Sequence, residues 1–138
     1  MTRIALSTYQ SKDFFRYAKD FGYEWSTRLF DFQWQQIYGP YFSSTLTAVS
    51  GNYESDYFSL SGASNFRLKN GMEYYKLQQN FFYVTFEKMT LNFGVDWVAY
   101  DGKPETIKPE SRISAITPES IIKKKGKEFG LYIKDENN

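Results

Sequence analysis

The chain has 138 residues, of which 41% are hydrophobic, 24% charged and 20% aromatic, and it carries 17 basic and 16 acidic side chains. It contains no histidine and no cysteine, which excludes disulfides, Ser-His-Asp and Cys-His catalytic groups and the common zinc ligand sets. We therefore expect a non-enzyme with no catalytic residues, no metal site and no cofactor. The longest apolar stretches, 81–84 and 97–100, are far shorter than a membrane-spanning helix. A cytoplasmic protein with no membrane partner is expected.

The first part of the chain predicts a helix over 11–22. Ser11 is suited to cap its N-terminus, and Gly22 is suited to end it. Phe14 and Phe21 are spaced so that they would share one helical face.

The segment 26–38 fits two structures. Phe30 and Trp34 have helical spacing, but Phe30, Phe32 and Trp34 also alternate with polar residues as in a strand. Gly39-Pro40 ends the segment in either case. We favour a second helix, because Gly followed by Pro is a common helix stop.

From residue 41 onward the pattern is typical of strands joined by tight turns. Asn70-Gly71 and Asp101-Gly102 are strong hairpin signals, and Ser50-Gly51-Asn52 and Gly62 mark further breaks. These turns predict strands near 42–49, 53–60, 64–69, 72–78, 80–91 and 94–100.

The expected core of this sheet lies in its later strands. The stretch 81–86 is apolar at nearly every position, and Phe93, Val95, Trp97 and Ala99 share one face of the next strand. We expect the two segments to be buried together beneath the helices.

The C-terminal part predicts a short helix over 117–125, since Thr117 is suited to cap it and Pro118 to begin it. Phe129, Leu131 and Ile133 then alternate as in a last strand. The expected fold class is α+β, with N-terminal helices packed on a largely antiparallel sheet, a meander of hairpins, in a single domain over 1–138. Its parts are an aromatic-rich helical part over 1–40, the sheet over 41–116, a short helix and final strand over 117–134, and a frayed tail over 135–138.

Aromatic residues are concentrated near the N-terminus, where 14–42 holds twelve of them. Two helices could not bury so many rings, and Tyr and Trp are enriched in protein interfaces. The sequence therefore predicts a non-catalytic binding protein that docks on a protein partner, with self-association as an additional expectation. One concrete form is a small phage or mobile-element accessory protein that inhibits a host nuclease or defence system. The expected partner-binding residues are Trp25, Phe32, Trp34, Tyr38 and Tyr41.

Single-stranded nucleic acid is the alternative partner. Its bases would stack on the rings and its phosphates would contact a cluster of C-terminal lysines. Residues 103–127 hold seven Lys or Arg against three Glu, although acids nearly balance bases overall. The candidate residues are Arg28, Arg67, Lys69, Lys123, Lys124, Lys125 and Lys127.

A weaker enzymatic hypothesis rests on carboxylates. Glu54 and Asp56 lie two apart on one face of a predicted strand, and Glu73, Glu87 and Asp96 could converge across neighbouring strands. A glycosidase needs two carboxyl groups about 5 to 10 Å apart, one of them with a raised pKa. Acidic residues on exposed strands are common, so this hypothesis ranks last.

Overall fold

A computed structural model describes residues 1–17, 20–60, 65–85, 89–109, 119–120 and 123–137. Within these ranges every element of regular structure is a strand, and no helix is present. The strands are β1 (Thr2–Tyr17), β2 (Phe21–Ile37), β3 (Phe42–Ser59), β4 (Phe66–Val84), β5 (Met89–Pro109), β6 (Glu119–Ser120) and β7 (Lys125–Asn137).

The strands form one antiparallel sheet in the order β1-β2-β3-β4-β5, with β6 and β7 both paired to the far side of β5. Short connections between successive strands permit only antiparallel neighbours, which explains the meander. Register is regular along these pairs except between Lys69 and Gly71, where it shifts by one residue. Across the described ranges, β1 and β7 are the long edge strands of the sheet.

The α+β prediction is wrong, because both expected N-terminal helices are strands. Of the segment predicted as a helix over 11–22, residues 11–17 belong to β1 and 21–22 to the start of β2, while 18–19 lie outside the described residues. The segment 26–38 belongs almost wholly to β2. The alternation of Phe30, Phe32 and Trp34 is therefore strand periodicity. Pairing with a strand on each side decides the conformation where periodicity alone is ambiguous. Gly39-Pro40 does separate two elements, as expected.

Several predicted turns are also wrong. Asn70-Gly71 lies inside β4, Asp101-Gly102 inside β5, and Ser50-Gly51-Asn52 inside β3. Gly71 does not adopt the left-handed conformation that a type I′ turn requires, and a Cβ at that position would lie 2.9 Å from the Tyr53 carbonyl oxygen. Its glycine is explained by this close backbone approach, not by a turn. Gly62 lies outside the described residues.

The helix predicted over 117–125 is not found in the described part of that segment. Glu119–Ser120 forms the short strand β6, and β7 begins at Lys125, while 117–118 and 121–122 lie outside the described residues. The predicted last strand over Phe129 to Ile133 is present as part of β7. β7 continues to Asn137, through most of the expected tail.

The expected core does not form, because the sheet is a single layer. In the described ranges Val98, 7% exposed, is the only buried hydrophobic residue. Trp97, assigned to the core by its spacing, is 40% exposed. No helix lies over either face in these ranges, so side chains pack only against neighbours on their own face.

The register defines which residues share a face. Directly paired residues project to the same side, and successive residues project to opposite sides. We call the side that carries Phe32 and Trp34 the front face and the opposite side the back face.

Candidate interaction surface

An apolar band crosses the front face at the end of the sheet that holds the start of β1. The register places Ile4 of β1 in one row with Trp34 of β2, and continues that row to Leu131 of β7. The next apolar row runs from Leu6 through Phe32. The apolar band comprises Ile4, Leu6, Phe30, Phe32, Trp34, Phe42, Leu46, Leu77, Phe81, Phe93, Val95, Trp97, Phe129, Leu131 and Ile133.

The apolar band is open to solvent. Leu131 is 76% exposed and Phe129 67%, and Trp34 is 43% exposed although it lies between two paired strands. By strand spacing and rise, the band measures about 25 Å in each direction. The front face therefore presents an extended apolar surface that nothing in the described ranges covers.

Stacked rings form the outer margin of this band. Tyr38 stacks on Phe42 with centroids 5.2 Å apart, and Phe42 is followed by Phe81 at 6.2 Å and Phe93 at 5.1 Å. These rings come from the β2–β3 turn and from three successive strands. Such cross-strand ring pairs stabilise a sheet on one face and hold the margin of the band in place.

The same face changes character toward the other end of the strands, where ion pairs replace apolar contacts. Lys103 of β5 lies at the centre of this charged belt. Its Nζ lies 2.6 Å from Glu54 Oε1 and 3.7 Å from Glu73 Oε1. The Lys103 hydrogen bond holds the pKa of Glu54 below its usual value, and Glu54 in turn raises the pKa of Lys103. The charged belt comprises Lys12, Glu24, Glu54, Asp56, Arg67, Lys69, Glu73, Asp101, Lys103 and Lys125.

A ring lies between two cations at the far end of this belt. The guanidinium groups of Arg16 and Arg67 each lie 5.8 Å from the centre of the Phe58 ring. The ring extends over Gly22, where a Cβ would lie 2.2 Å from it. Glycine at this position therefore allows Phe58 to lie flat across β2 and to contact both arginines.

Four of the seven predicted nucleic-acid-binding residues pair with acids, and three of those four, Arg67, Lys69 and Lys125, belong to the charged belt. Arg67 and Lys69 lie 3.5 and 3.4 Å from the Asp56 carboxylate. At the other side of the sheet, Lys123 and Lys125 approach Asp101, whose pKa is lowered first by the Lys123 hydrogen bond. These carboxylates offset the positive charge that phosphates would contact.

The remaining members of that predicted set are dispersed. Arg28 lies on the front face of β2. Lys124 precedes β7 and accepts the Gly102 amide hydrogen bond on its carbonyl oxygen at 2.8 Å. Lys127 lies on the front face of β7 beside the apolar band. The structure therefore does not bring all seven residues into one patch.

The back face has the reverse arrangement. Behind the apolar band it carries polar side chains, including Gln33, Thr45, Gln78 and Asn80. Behind the charged belt it carries rings that contact one another, including Tyr23 with Trp25 at 5.1 Å, Phe21 with Tyr57 at 5.1 Å and Tyr74 with Tyr100 at 5.5 Å. We call these back-face rings, together with Tyr53, the aromatic cluster.

The aromatic cluster is partly buried. The Tyr23 and Tyr53 hydroxyls lie 3.1 Å apart, and this hydrogen bond together with burial raises the pKa of Tyr53. Burial is the main cause of the raised pKa of Tyr74. Rings of the cluster cover each other, whereas many side chains of the apolar band remain exposed.

The five predicted partner-binding residues occupy different places. Phe32 and Trp34 lie within the apolar band, and Tyr38 lies at its stacked margin. Tyr41 is exposed in the β2–β3 turn, next to that margin. Trp25 lies on the back face, within the aromatic cluster. The structure thus joins three of the five on one surface and separates Trp25 from them.

Most of the band is not among the predicted partner-binding residues. Trp97 is predicted to lie in a core, and Ile4, Leu6 and Leu131 have no predicted role in binding. β5 and β7 do carry apolar residues at alternate positions, which indicates one apolar face on each strand. With helices predicted over that face, the pattern indicates burial and not an open surface.

The carboxylates of the belt do not have the features of a glycosidase pair. Glu54 and Asp56 share a face, as expected, and Lys103 contacts both Glu54 and Glu73. Asp96 projects to the opposite face, and Glu87 lies outside the described residues. However, the pKa of Glu54 is lowered, whereas a general acid needs a raised one. Among the described residues there is no cluster of three or more acids placed to hold a metal ion.

In the ranges that the structure describes, no helix has the length and apolar character needed to cross a lipid bilayer. Comparison of the chain with protein-family models, with curated proteins and with solved structures finds no match.

Proposed function

We propose that the chain is a non-catalytic binding protein that docks its apolar band on a protein partner. The observation that carries this proposal is the exposure of the band over strands from β1 to β7. The band's footprint is about 600 Å², at the upper end of the apolar patches that monomeric proteins expose. Burying it in a complex would remove a large apolar area from water.

Its composition supports a protein partner. Trp34 and Trp97 are large rings of the kind that anchor protein interfaces. The charged belt borders the band on the same face, which would supply the polar rim that surrounds the apolar centre of many interfaces. The cytoplasmic location expected from the cysteine-free sequence remains part of this proposal.

The experiment compares two double variants of the full chain. Trp34→Ser with Leu131→Ser removes two exposed side chains of the band. Phe15→Ser with Tyr17→Ser removes two exposed rings of the back face as a matched control. Each protein is immobilised and used to recover partners from lysate with and without nuclease treatment, and the recovered partner is then purified and its Kd measured by calorimetry.

We expect the band variant to bind the purified partner at least about tenfold more weakly, as for the loss of aromatic anchors, and the control to bind within about twofold of the original chain. Equal effects of the two variants would contradict the proposal. A loss of binding after nuclease treatment would favour nucleic acid instead. If the band variant loses only its binding to phosphatidylcholine vesicles, the partner is lipid and not protein.

A further inference from the structure

The edge of the sheet at β1 offers a second surface, which consists of backbone groups, whereas the apolar band consists of side chains. The Ile37 amide donates to the Met1 carbonyl at 2.8 Å, and the β1–β2 register is regular from Thr2 to Tyr17. Since hydrogen-bonded and non-hydrogen-bonded pairs alternate, the odd-numbered residues of β1 bond to β2. The even-numbered residues, such as Leu6, Thr8 and Gln10, therefore direct their N–H and C=O groups to the open edge.

The two edge strands differ in how well they resist pairing. β7 carries Lys125, Lys127 and Lys134 among its residues, and edge lysines disfavour the approach of another strand. The stretch 4–11 of β1 has no charged residue and no proline, and its pairing with β2 contains no bulge. A further strand can therefore pair with β1 more readily than with β7.

Two charges on β1 are arranged symmetrically about Thr8. Arg3 and Asp13 lie five residues to either side of Thr8, and both project to the back face. Among the described residues neither forms a salt bridge, in contrast to Lys12, whose Nζ lies 2.6 Å from Glu24. A twofold axis perpendicular to the sheet, passing midway between Thr8 of one copy and Thr8 of the other, would place Arg3 of each copy opposite Asp13 of the other.

We propose that a second copy of the chain pairs antiparallel with β1, with Thr8 opposite Thr8 of that copy. A twofold axis in this orientation keeps the front faces of both copies on the same side. The even-numbered residues from 4 to 12 would then form about ten new backbone hydrogen bonds. Arg3 and Asp13 would fall in non-hydrogen-bonded pairs, where opposite side chains lie closest. Twofold dimers are the commonest protein assemblies.

Charge exchange tests this register directly. Arg3→Asp places two acids opposite each other in the dimer, and Asp13→Arg places two bases opposite each other. We expect each variant alone to dimerise at least about tenfold more weakly in analytical ultracentrifugation, because like charges face each other directly. An equimolar mixture of the two should recover dimers, since the introduced acid of one copy would then face the introduced base of the other, and the unchanged Arg3 would face the unchanged Asp13.

Two further variants separate edge pairing from other modes of association. Thr8→Pro removes an outward N–H without removing a β1–β2 hydrogen bond, and should abolish the dimer while leaving the circular dichroism spectrum unchanged. Lys127→Asp, on the opposite edge, should leave the dimer unaffected.

A chain that stays monomeric throughout the micromolar range would overturn the proposal. So would a dimer that tolerates both single charge variants, a mixture that fails to recover dimers, or assemblies larger than two copies that respond to Lys127→Asp. Self-association through the apolar band would persist in Thr8→Pro and would equally count against it.

Discussion

The two ends of this sheet carry their apolar or aromatic side chains on opposite faces. At one end the front face is apolar and the back face polar, and at the other end the front face is charged and the back face aromatic. The aromatic cluster is partly covered by its own ring contacts, such as Phe21 with Tyr57. In the described ranges much of the apolar band has no such cover, since Leu131 and Ile133 are 76% and 73% exposed. The apolar side chains are thus partly covered by one another at one end of the sheet and largely exposed at the other.

The difference follows in part from which side chains contact one another. In the aromatic cluster, rings on neighbouring strands cover each other, as Tyr74 and Tyr100 do. In the band, the contacting rings Phe42, Phe81 and Phe93 lie at one margin. The aliphatic members are shorter and reach little beyond their own row, and Phe129 on the edge strand β7 is 67% exposed.

The largest expected effect on stability comes from a substitution at Gly22, at the end of the sheet that carries the charged belt. Gly22→Val would force the Phe58 ring off β2, because a Cβ at Gly22 would lie 2.2 Å from that ring. We expect a loss of about 2 kcal/mol in the free energy of unfolding, typical of overpacking. Urea denaturation measures it.

Gly39→Ala is the matched control for that variant, since nothing lies within 4 Å of a Cβ at Gly39. Its effect should stay within about 0.5 kcal/mol. If both glycine variants were equally stable, the close contact of Phe58 with β2 would not be present in solution.

The next effect contrasts buried and exposed apolar residues. Val98→Ala removes methyl groups from a residue that is 7% exposed and should reduce the free energy of unfolding by about 1 kcal/mol. Leu131→Ala, in the apolar band, should change it by less than about 0.5 kcal/mol, because the leucine is already exposed to water. Chemical denaturation of both variants gives the comparison. A larger loss for Leu131→Ala would mean that something covers the band in the free chain.

A smaller effect concerns pH. Lys103→Met removes the ammonium group that binds Glu54 and Glu73. Because these side chains are partly exposed, solvent screening should limit the loss at neutral pH to less than about 1 kcal/mol. The pKa of Glu54 is lowered in the folded chain, so its contribution is present above the ordinary Glu pKa and is lost as the pH falls.

The free energies of unfolding of the original chain and Lys103→Met should therefore converge below about pH 4, near the ordinary Glu pKa. The raised pKa of Lys103 predicts a second convergence as the pH rises above its ordinary range. A difference that stayed constant from acid to neutral pH would show that packing, and not charge, accounts for the role of Lys103.

The smallest effect should come from Asp101→Asn. It releases Lys123 and Lys125 from their shared carboxylate and should speed amide hydrogen exchange near Lys125 without a measurable change in the unfolding midpoint. Exchange at Lys76, on a central strand, serves as the internal control. A gain in affinity for single-stranded DNA in this variant would indicate that Asp101 masks a nucleic-acid site.

The antiparallel sheet could be predicted from the sequence only in part. The alternation of Phe129, Leu131 and Ile133 correctly indicated a strand, and Gly39-Pro40 correctly indicated a boundary. Asn70-Gly71 had the sequence of a hairpin turn, but its glycine allows close backbone approach inside β4. Local sequence cannot distinguish these two uses of glycine, because the difference lies in the neighbouring strand.

The apolar band, like the sheet, could be predicted from the sequence only in part. Phe32 and Trp34 were identified from the density of rings, and they lie in the apolar band. Trp97 was missed because alternating apolar residues indicate one apolar face without revealing what covers that face. Only the pairing of all strands in one layer shows that the face is open.

Oxidative footprinting by hydroxyl radicals tests most directly whether the apolar band is uncovered in the free chain. Labelling rates are measured by mass spectrometry and normalised to the denatured protein. Trp34, Trp97 and Phe129 should be labelled several times faster than Tyr53 and Tyr74 of the aromatic cluster. Protection of the three band residues equal to that of the two tyrosines would contradict an open front face and, with it, the proposed docking surface.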